Sequence, residues 1–312
     1  MSAGNTESSS DDEVCASCGI AAVDDVKLKM CDGGCDLVKY CSDGCQELHR
    51  PEHKNLCRKR LAELHDDDLF NQPDITHHGE CLICFLPLSL DPRKSTMMTC
   101  CCKVICNGCD HANAKSEIEQ GLEHRCTFCR EPMPKSQEEA DKNIMNRIKK
   151  HDPAATTAMG KKHYNKSDYV RAAEYWTEAA ELGYVEAHFS LGTLYYCGDG
   201  VEKDEKKATH HWEQASIGGH TQARAYLAEH EMKNGRFERA AKHYIINANL
   251  GCDASLKVIK DLFVKGKVGK EEYAAALRAH QAAVDATKSP EREEAEAAKF
   301  VQSGGLPTAA IT

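Results

Sequence analysis

The sequence is poor in aromatic residues: ten Tyr, seven Phe and two Trp make 6% of 312 residues. That scarcity argues against one large conventional core. No run approaches the ~18 consecutive apolar residues that a transmembrane helix needs. The opening, MSAGNTESSSDDEV, is polar and acidic and lacks the basic-then-apolar order of a secretory signal, so a soluble cytoplasmic or nuclear chain, or one found in both places, is expected. Positive charge is not in excess either. Forty Lys and Arg face 49 Asp and Glu for a net charge of −9, which argues against specific nucleic-acid binding and against anionic membranes. A phosphate-cradling glycine loop, a hydrolase elbow and a zinc-protease helix motif are all missing.

Cysteine is what the chain has in quantity, and it is unevenly placed. Of 18 cysteines, all but Cys197 and Cys252 lie between Cys15 and Cys129. Without a route to an oxidising compartment, such density points to metal rather than disulfides. The two late cysteines read as buried thiols. At this length two or three domains are expected, one architecture needing cysteine and one not.

The first cluster consists of Cys15-x-x-Cys18, Cys31-Asp-Gly-Gly-Cys35, Tyr40-Cys41-x-x-x-Cys45-Gln46 and His53-x-x-x-Cys57. Zinc takes four tetrahedral thiolate or imidazole ligands, and two ligands on a tight turn supply half a site, so four pairs suit two ions. Gly33 and Gly34 suit the unusual backbone of the knuckle. From Cys41 to Cys57 the spacing of three to four predicts one helix. These residues resemble the MYND zinc finger. The resemblance implies interleaved sites, Cys15, Cys18, Cys41 and Cys45 on one zinc and Cys31, Cys35, His53 and Cys57 on the other. It also implies short proline-containing peptides as ligands. Two positions depart from the family pattern: the second knuckle has three intervening residues, and Arg50 stands where the family has tryptophan. His49 reads as a solvated helix residue, and Arg58-Lys59-Arg60 as a solvated face of a polar helix over 58–70.

The second cluster has Cys81-x-x-Cys84, Cys100-Cys101-Cys102, Cys106-x-x-Cys109 and Cys126-x-x-Cys129, separated by loops of uneven length. It resembles a RING finger in an all-cysteine variant. The resemblance implies cross-bracing: Cys81, Cys84, Cys106 and Cys109 hold one zinc, and Cys126 and Cys129 hold the other with Cys100 and Cys102, Cys101 being the reserve. It further implies that Ile83 packs on a ubiquitin-conjugating enzyme and that Arg130, followed by Pro132, is the arginine that bridges that enzyme to ubiquitin. A guanidinium offers several donors in a fixed fork, which suits bridging two proteins. The plain alternative is an arginine exposed after a zinc knuckle. His77, His78, His111 and His124 lie off the ligand spacing and read as solvated.

Beyond a polar connecting helix an internal repeat begins. Trp176, Trp212 and Tyr244 are 36 and 32 residues apart, and Gly183, Gly219 and Gly251 share those spacings. Gly160 and Gly192 are separated by 32. Each unit reads as two helices ending in glycine. Leu191, Gly192, Tyr195, Gly198, Gly200, Val201, Asp204, Ala208, Trp212 and Gly219 resemble the hallmarks of the Sel-one-like repeat, a relative of the tetratricopeptide repeat. Trp176 and Trp212 then serve as core wedges, and a degenerate pair over 253–287 caps the array.

The expected fold is mainly α: two small cross-braced zinc fingers followed by a Sel-one-like helical solenoid. The expected division is a disordered N-terminus (1–14), MYND finger (15–57), helical linker (58–78), RING-type finger (79–134), linker helix (135–151), repeats (152–287) and a flexible tail (288–312). The expected cofactor is Zn2+, four ions, and the expected partners are proteins, including a ubiquitin-conjugating enzyme and an unidentified substrate or peptide. The function expected is a RING-type ubiquitin ligase with no nucleophile of its own; the alternative is a non-catalytic zinc-finger adaptor.

Overall fold

The computed structural model describes residues 14–22 and 27–302. Residues 1–13 of the expected disordered N-terminus and 303–312 of the expected tail lie outside them. The chain divides into two compact units after Asn71, and twelve helices are present among the described residues.

In the first unit, two short strands, β1 (Lys29–Met30) and β2 (Lys39–Tyr40), pair antiparallel with Lys29 opposite Tyr40. Helix α1 (Asp43–Phe70) follows and runs for 28 residues. Ser42 starts it by accepting the Cys45 N–H on its hydroxyl, as an N-cap should. Pro51 removes a main-chain donor inside the helix. Cys45 before it and His53 and Cys57 after it bring both halves of α1 to the same small core of Cys15, Cys31, Cys35 and Tyr40.

The second unit opens with a loop and a hairpin, β3 (Ser95–Met98) and β4 (Lys103–Cys106), followed by α2 (Asn107–Glu119). Next comes the connecting helix α3 (Gln137–Ile148). The repeats are helix pairs: α4 (Pro153–Tyr164) with α5 (Tyr169–Glu181), α6 (Val185–Cys197) with α7 (Glu205–Ile217), α8 (Thr221–Lys233) with α9 (Phe237–Asn249), and α10 (Asp253–Val264) with α11 (Lys270–Ala286). Asp152, Asp168 and Asp204 cap α4, α5 and α7 through their carboxylates. Fully buried alanines at 172, 179, 187, 208, 215 and 223 line the crossings. Such small side chains let helices approach closely enough for Trp176 and Trp212 to fill the remaining space, and both indoles are buried.

Two departures from the sequence reading follow. The second finger is not separated from the repeats. Cys102 packs with Ile144 of α3 and with Ala155 and Met159 of α4, and the His77 N–H donates to the carbonyl of Gly219. At Gly219 (φ +81) a Cβ would lie 2.7 Å from the Ile75 carbonyl, so glycine is needed for the turn and for the approach of that loop. The expected flexible tail is also corrected: residues 290–302 form a twelfth helix, α12 (Pro290–Gln302), packed on α2.

Candidate metal centres

Four sets of ligand atoms converge, each within 4.8 Å: Cys15, Cys18, Cys41 and Cys45; Cys31, Cys35, His53 and Cys57; Cys81, Cys84, Cys106 and Cys109; Cys100, Cys101, Cys126 and Cys129. Tetrahedral thiolates about 2.3 Å from zinc sit about 3.8 Å apart. The sulfurs here match that edge: Cys18–Cys41 at 3.5 Å, Cys41–Cys45 at 3.6 Å, Cys31–Cys57 at 3.9 Å, Cys84–Cys106 at 3.9 Å and Cys101–Cys126 at 3.8 Å. Cys35 Sγ lies 3.1 Å from His53 Nε2. Sulfurs so close without a disulfide are the donor set of a soft divalent cation, so these residues fit zinc.

The thiol electrostatics agree. Burial works to raise the Cys15 thiol, but the backbone N–H groups of Cys41, Cys18 and Ser17 outweigh it and bring it down to about 6. Cys81 is buried likewise, and N–H groups of Cys106, Cys84 and Ile83 bring it to about 7. Each finger thus opens on a thiol poised to be the thiolate that binds metal. Cys57 goes the other way, pushed to about 11 by burial and by Cys35 and Cys31. Thiols clustered this closely cannot all ionise without a cation among them.

Both fingers interleave their pairs, first with third and second with fourth. Of the two glycines in the second knuckle, Gly34 takes a left-handed backbone (φ +83), whereas Gly33 is needed because a Cβ would stand 2.8 Å from Cys57 Sγ. Gln46 clamps the long second knuckle, accepting from the Asp32 N–H and donating to its carboxylate at 2.8 Å.

In the second finger the expectation of Cys100 with Cys102 is corrected to Cys100 with Cys101. The N–H groups of Cys101 and Cys102 both donate to the Met98 carbonyl, and Cys102 adopts φ +55. That turn sends the Cys102 side chain away from Cys126, into the apolar contact with α3 and α4.

The histidines set aside as solvated are mostly engaged. His49 bonds Tyr40 Oη at 2.9 Å and stacks on His53, and His124 bonds Glu117. His77 and His220 both lie against Glu186 Oε2, at 3.3 and 3.1 Å, and stack on each other, while the His78 ring lies tilted against His77 with centroids 4.0 Å apart. Burial would raise the Glu186 carboxyl, but the two imidazoles hold it below the usual carboxylate range. This trio has a metal-like composition, yet His220 Nδ1 accepts the Ala223 N–H. The ring proton therefore sits on Nε2 and is donated to Glu186, where a metal would need a bare nitrogen. The trio is a hydrogen-bonded joint. Glu186 and His220 gave no signal in the sequence because the joint forms only when distant elements meet. Cys197 is exposed and Cys252 half-buried, correcting the expectation that both are buried.

Ile83 and Arg130 sit on the knuckles. Ile83 is 39% exposed, beside Leu82 at 40% and Phe85 at 70%; Phe128, on the last knuckle, is 40% exposed. Arg130 has φ +60. Its guanidinium pairs with Glu117 of α2 at 3.0 Å and donates to Asn113 Oδ1 at 3.3 Å.

Comparison with known proteins finds two kinds of module in the chain. The MYND finger family profile matches residues 15–57, and the Sel1 repeat profile matches 160–184 and 185–220. The Helicobacter pylori protein named "Putative beta-lactamase HcpC" is 41% identical over 56 residues in strain J99, 18% of this chain and 19% of that protein. Its counterpart in strain 26695 is 40% identical over 52 residues, 17% of this chain and 18% of that protein. The chain therefore spans about a fifth of the length of the curated relatives it matches. A Sel1 repeat protein from Oxalobacter formigenes aligns with TM-score 0.42 and 20% identity, covering 65% of this chain and 81% of that one. The protective antigen c5321 of uropathogenic Escherichia coli, which displays an SLR fold, aligns at 0.41 and 18%, covering 63% and 46%. The chain carries a zinc-binding MYND finger and Sel1 repeats, modules of protein–protein interaction. Among the described residues no helix is long and apolar enough to cross a membrane.

Proposed function

We propose that the protein binds four structural zinc ions and that its second finger, of RING type, recruits a ubiquitin-conjugating enzyme, while the MYND finger and the repeats gather the proteins to be modified. One observation carries the reading: large apolar side chains, Leu82, Ile83, Phe85 and Phe128, stand exposed on the metal knuckles of a cross-braced finger. Apolar groups held out on a rigid, metal-fixed turn are preorganised for docking, since little further ordering is needed on binding.

In this reading zinc supplies structure, fixing the two knuckles. Ile83 docks on the conjugating enzyme. Arg130, whose side chain is half exposed, bridges that enzyme to its ubiquitin and favours the reactive pose. The protein forms no covalent intermediate. A second reading, a scaffold without activity, is favoured by the Arg130–Glu117 ion pair, which gives Arg130 a structural task. Ubiquitin discharge from charged conjugating enzymes to free lysine separates the two. Stimulation by the intact chain with any member of a panel supports the ligase, and none with any member supports the scaffold.

A further inference from the structure

Arg292, near the start of α12, is 8% exposed and follows Cys84 by 208 positions. Its Nη2 donates to Cys84 Sγ at 3.4 Å and to the Leu86 carbonyl at 3.1 Å. Its Nη1 donates to the carbonyls of Pro87 at 2.7 Å and Thr287 at 2.6 Å. The rest of α12 is shaped to seat it. A Cβ at Gly108 of α2 would stand 2.7 and 2.9 Å from the Arg292 backbone N and Cα, so the two helices meet backbone to backbone. Lys115 pairs with Glu294 at 2.8 Å and Lys94 with Glu296 at 2.7 Å. Ala295 is buried in the contact.

We propose that α12 is the outer wall of the Cys81–Cys84–Cys106–Cys109 centre, and that Arg292 is a positioning residue tying the docking of this helix to zinc in that centre. The proposal rests on the zinc reading above. Four thiolates around a divalent ion leave a net charge of −2, partly buried. A guanidinium donating to one sulfur offsets that charge and keeps the thiolate aimed at the metal, as donors behind metal ligands do. Its remaining bonds, to Leu86 and Pro87, hold the turn that follows Cys84. Zinc fixes the turn at Cys84 whose following carbonyls, Leu86 and Pro87, accept from Arg292, so loss of the metal frees the acceptors on which the buried guanidinium depends. Helix and metal therefore stabilise each other reciprocally. The finger is incomplete without a segment that lies beyond the repeats.

The test is zinc release from the intact chain to a chromophoric chelator, with cysteine alkylation mapped by mass spectrometry. Arg292→Gln is expected to release one zinc about tenfold faster or more, and Cys81 and Cys84 are expected to be alkylated first. The double variant Glu294→Lys/Glu296→Lys loosens α12 by charge repulsion with Lys115 and Lys94 and touches no group near the metal. It is expected to accelerate the same single zinc, and it decides the matter if Arg292→Gln does not fold. Zinc-loaded variants that release like the wild type overturn the coupling and leave the zinc reading standing. Acceleration shared equally by the Cys15 and Cys31 centres also overturns it. A wild-type chain that holds no zinc overturns the reading beneath it as well.

Discussion

A Cβ on Gly192 would lie 2.4 Å from Cδ1 of Trp212, and one on Gly160 would lie 2.6 Å from Cδ1 of Trp176. The same pairing recurs in successive units, so each glycine is the floor on which a buried indole rests. Glycine inside a helix normally costs ~1 kcal/mol relative to alanine. Gly192→Ala should nonetheless destabilise, because overpacking a filled crossing typically costs ~1–3 kcal/mol. Urea unfolding followed by far-ultraviolet circular dichroism measures the difference. An unchanged or raised midpoint would mean that the indole has room to retreat.

This contact explains which parts of the fold were legible. The repeats were readable because Gly160, Gly192, Trp176 and Trp212 recur at fixed spacing, and spacing is what a sequence displays. The MYND finger was readable for the same reason. The choice between Cys101 and Cys102 was not, since it depends on a backbone turn at Met98 rather than on a count of residues. The α12 segment reads as a tail because SPEREEAEAAKF carries few apolar groups. Its attachment runs instead through one buried arginine and through ion pairs with residues of the second finger.

The cysteine triplet allows a direct comparison. Cys101→Ala should lower the zinc content by one ion per chain, since Cys101 faces Cys126 at 3.8 Å. Cys102→Ala should keep the full content and lose only a modest apolar contact with Ile144 and Met159. Elemental analysis of the two purified variants reads the outcome. The reverse pattern would restore the Cys100–Cys102 assignment.

Acid should weaken the repeats through His211. Burial first, then the neighbouring His188 and His210, push its imidazole down to about 4, and His188 Nδ1 lies 3.0 Å from His211 Nδ1. The folded value is below the unfolded one, so the unfolded chain binds the proton more readily. Stability from this group is complete above about pH 6.5 and is lost as pH falls toward 4. The slope is at most about 1.4 kcal/mol per pH unit. His211→Phe, which retains a ring against Tyr195, should flatten the acid side of the stability profile. Thiolate protonation also releases zinc at low pH, so the wild type and the variant must be compared at each pH by the same denaturant titration.

The knuckle residues separate the two functional readings. Ile83→Ala removes an exposed apolar side chain, so stability and zinc content should stay normal. As an interface anchor it should weaken recruitment of a conjugating enzyme by ~1–3 kcal/mol. Arg130→Ala should slow ubiquitin discharge while affinity for the uncharged enzyme stays nearly unchanged, because the arginine acts in the reactive arrangement. Arg130 also partners Glu117, however, so loss of discharge alone leaves open whether α2 has shifted. Glu117→Gln resolves this. It frees the guanidinium from its ion pair at 3.0 Å and keeps a side chain that can still accept from the Arg125 N–H, the bond Glu117 makes at 3.1 Å. If Arg130 bridges two proteins, Glu117→Gln should sustain or raise discharge while Arg130→Ala abolishes it. Equal losses in both variants would assign Arg130 to the fold of the finger, and the scaffold reading would then stand.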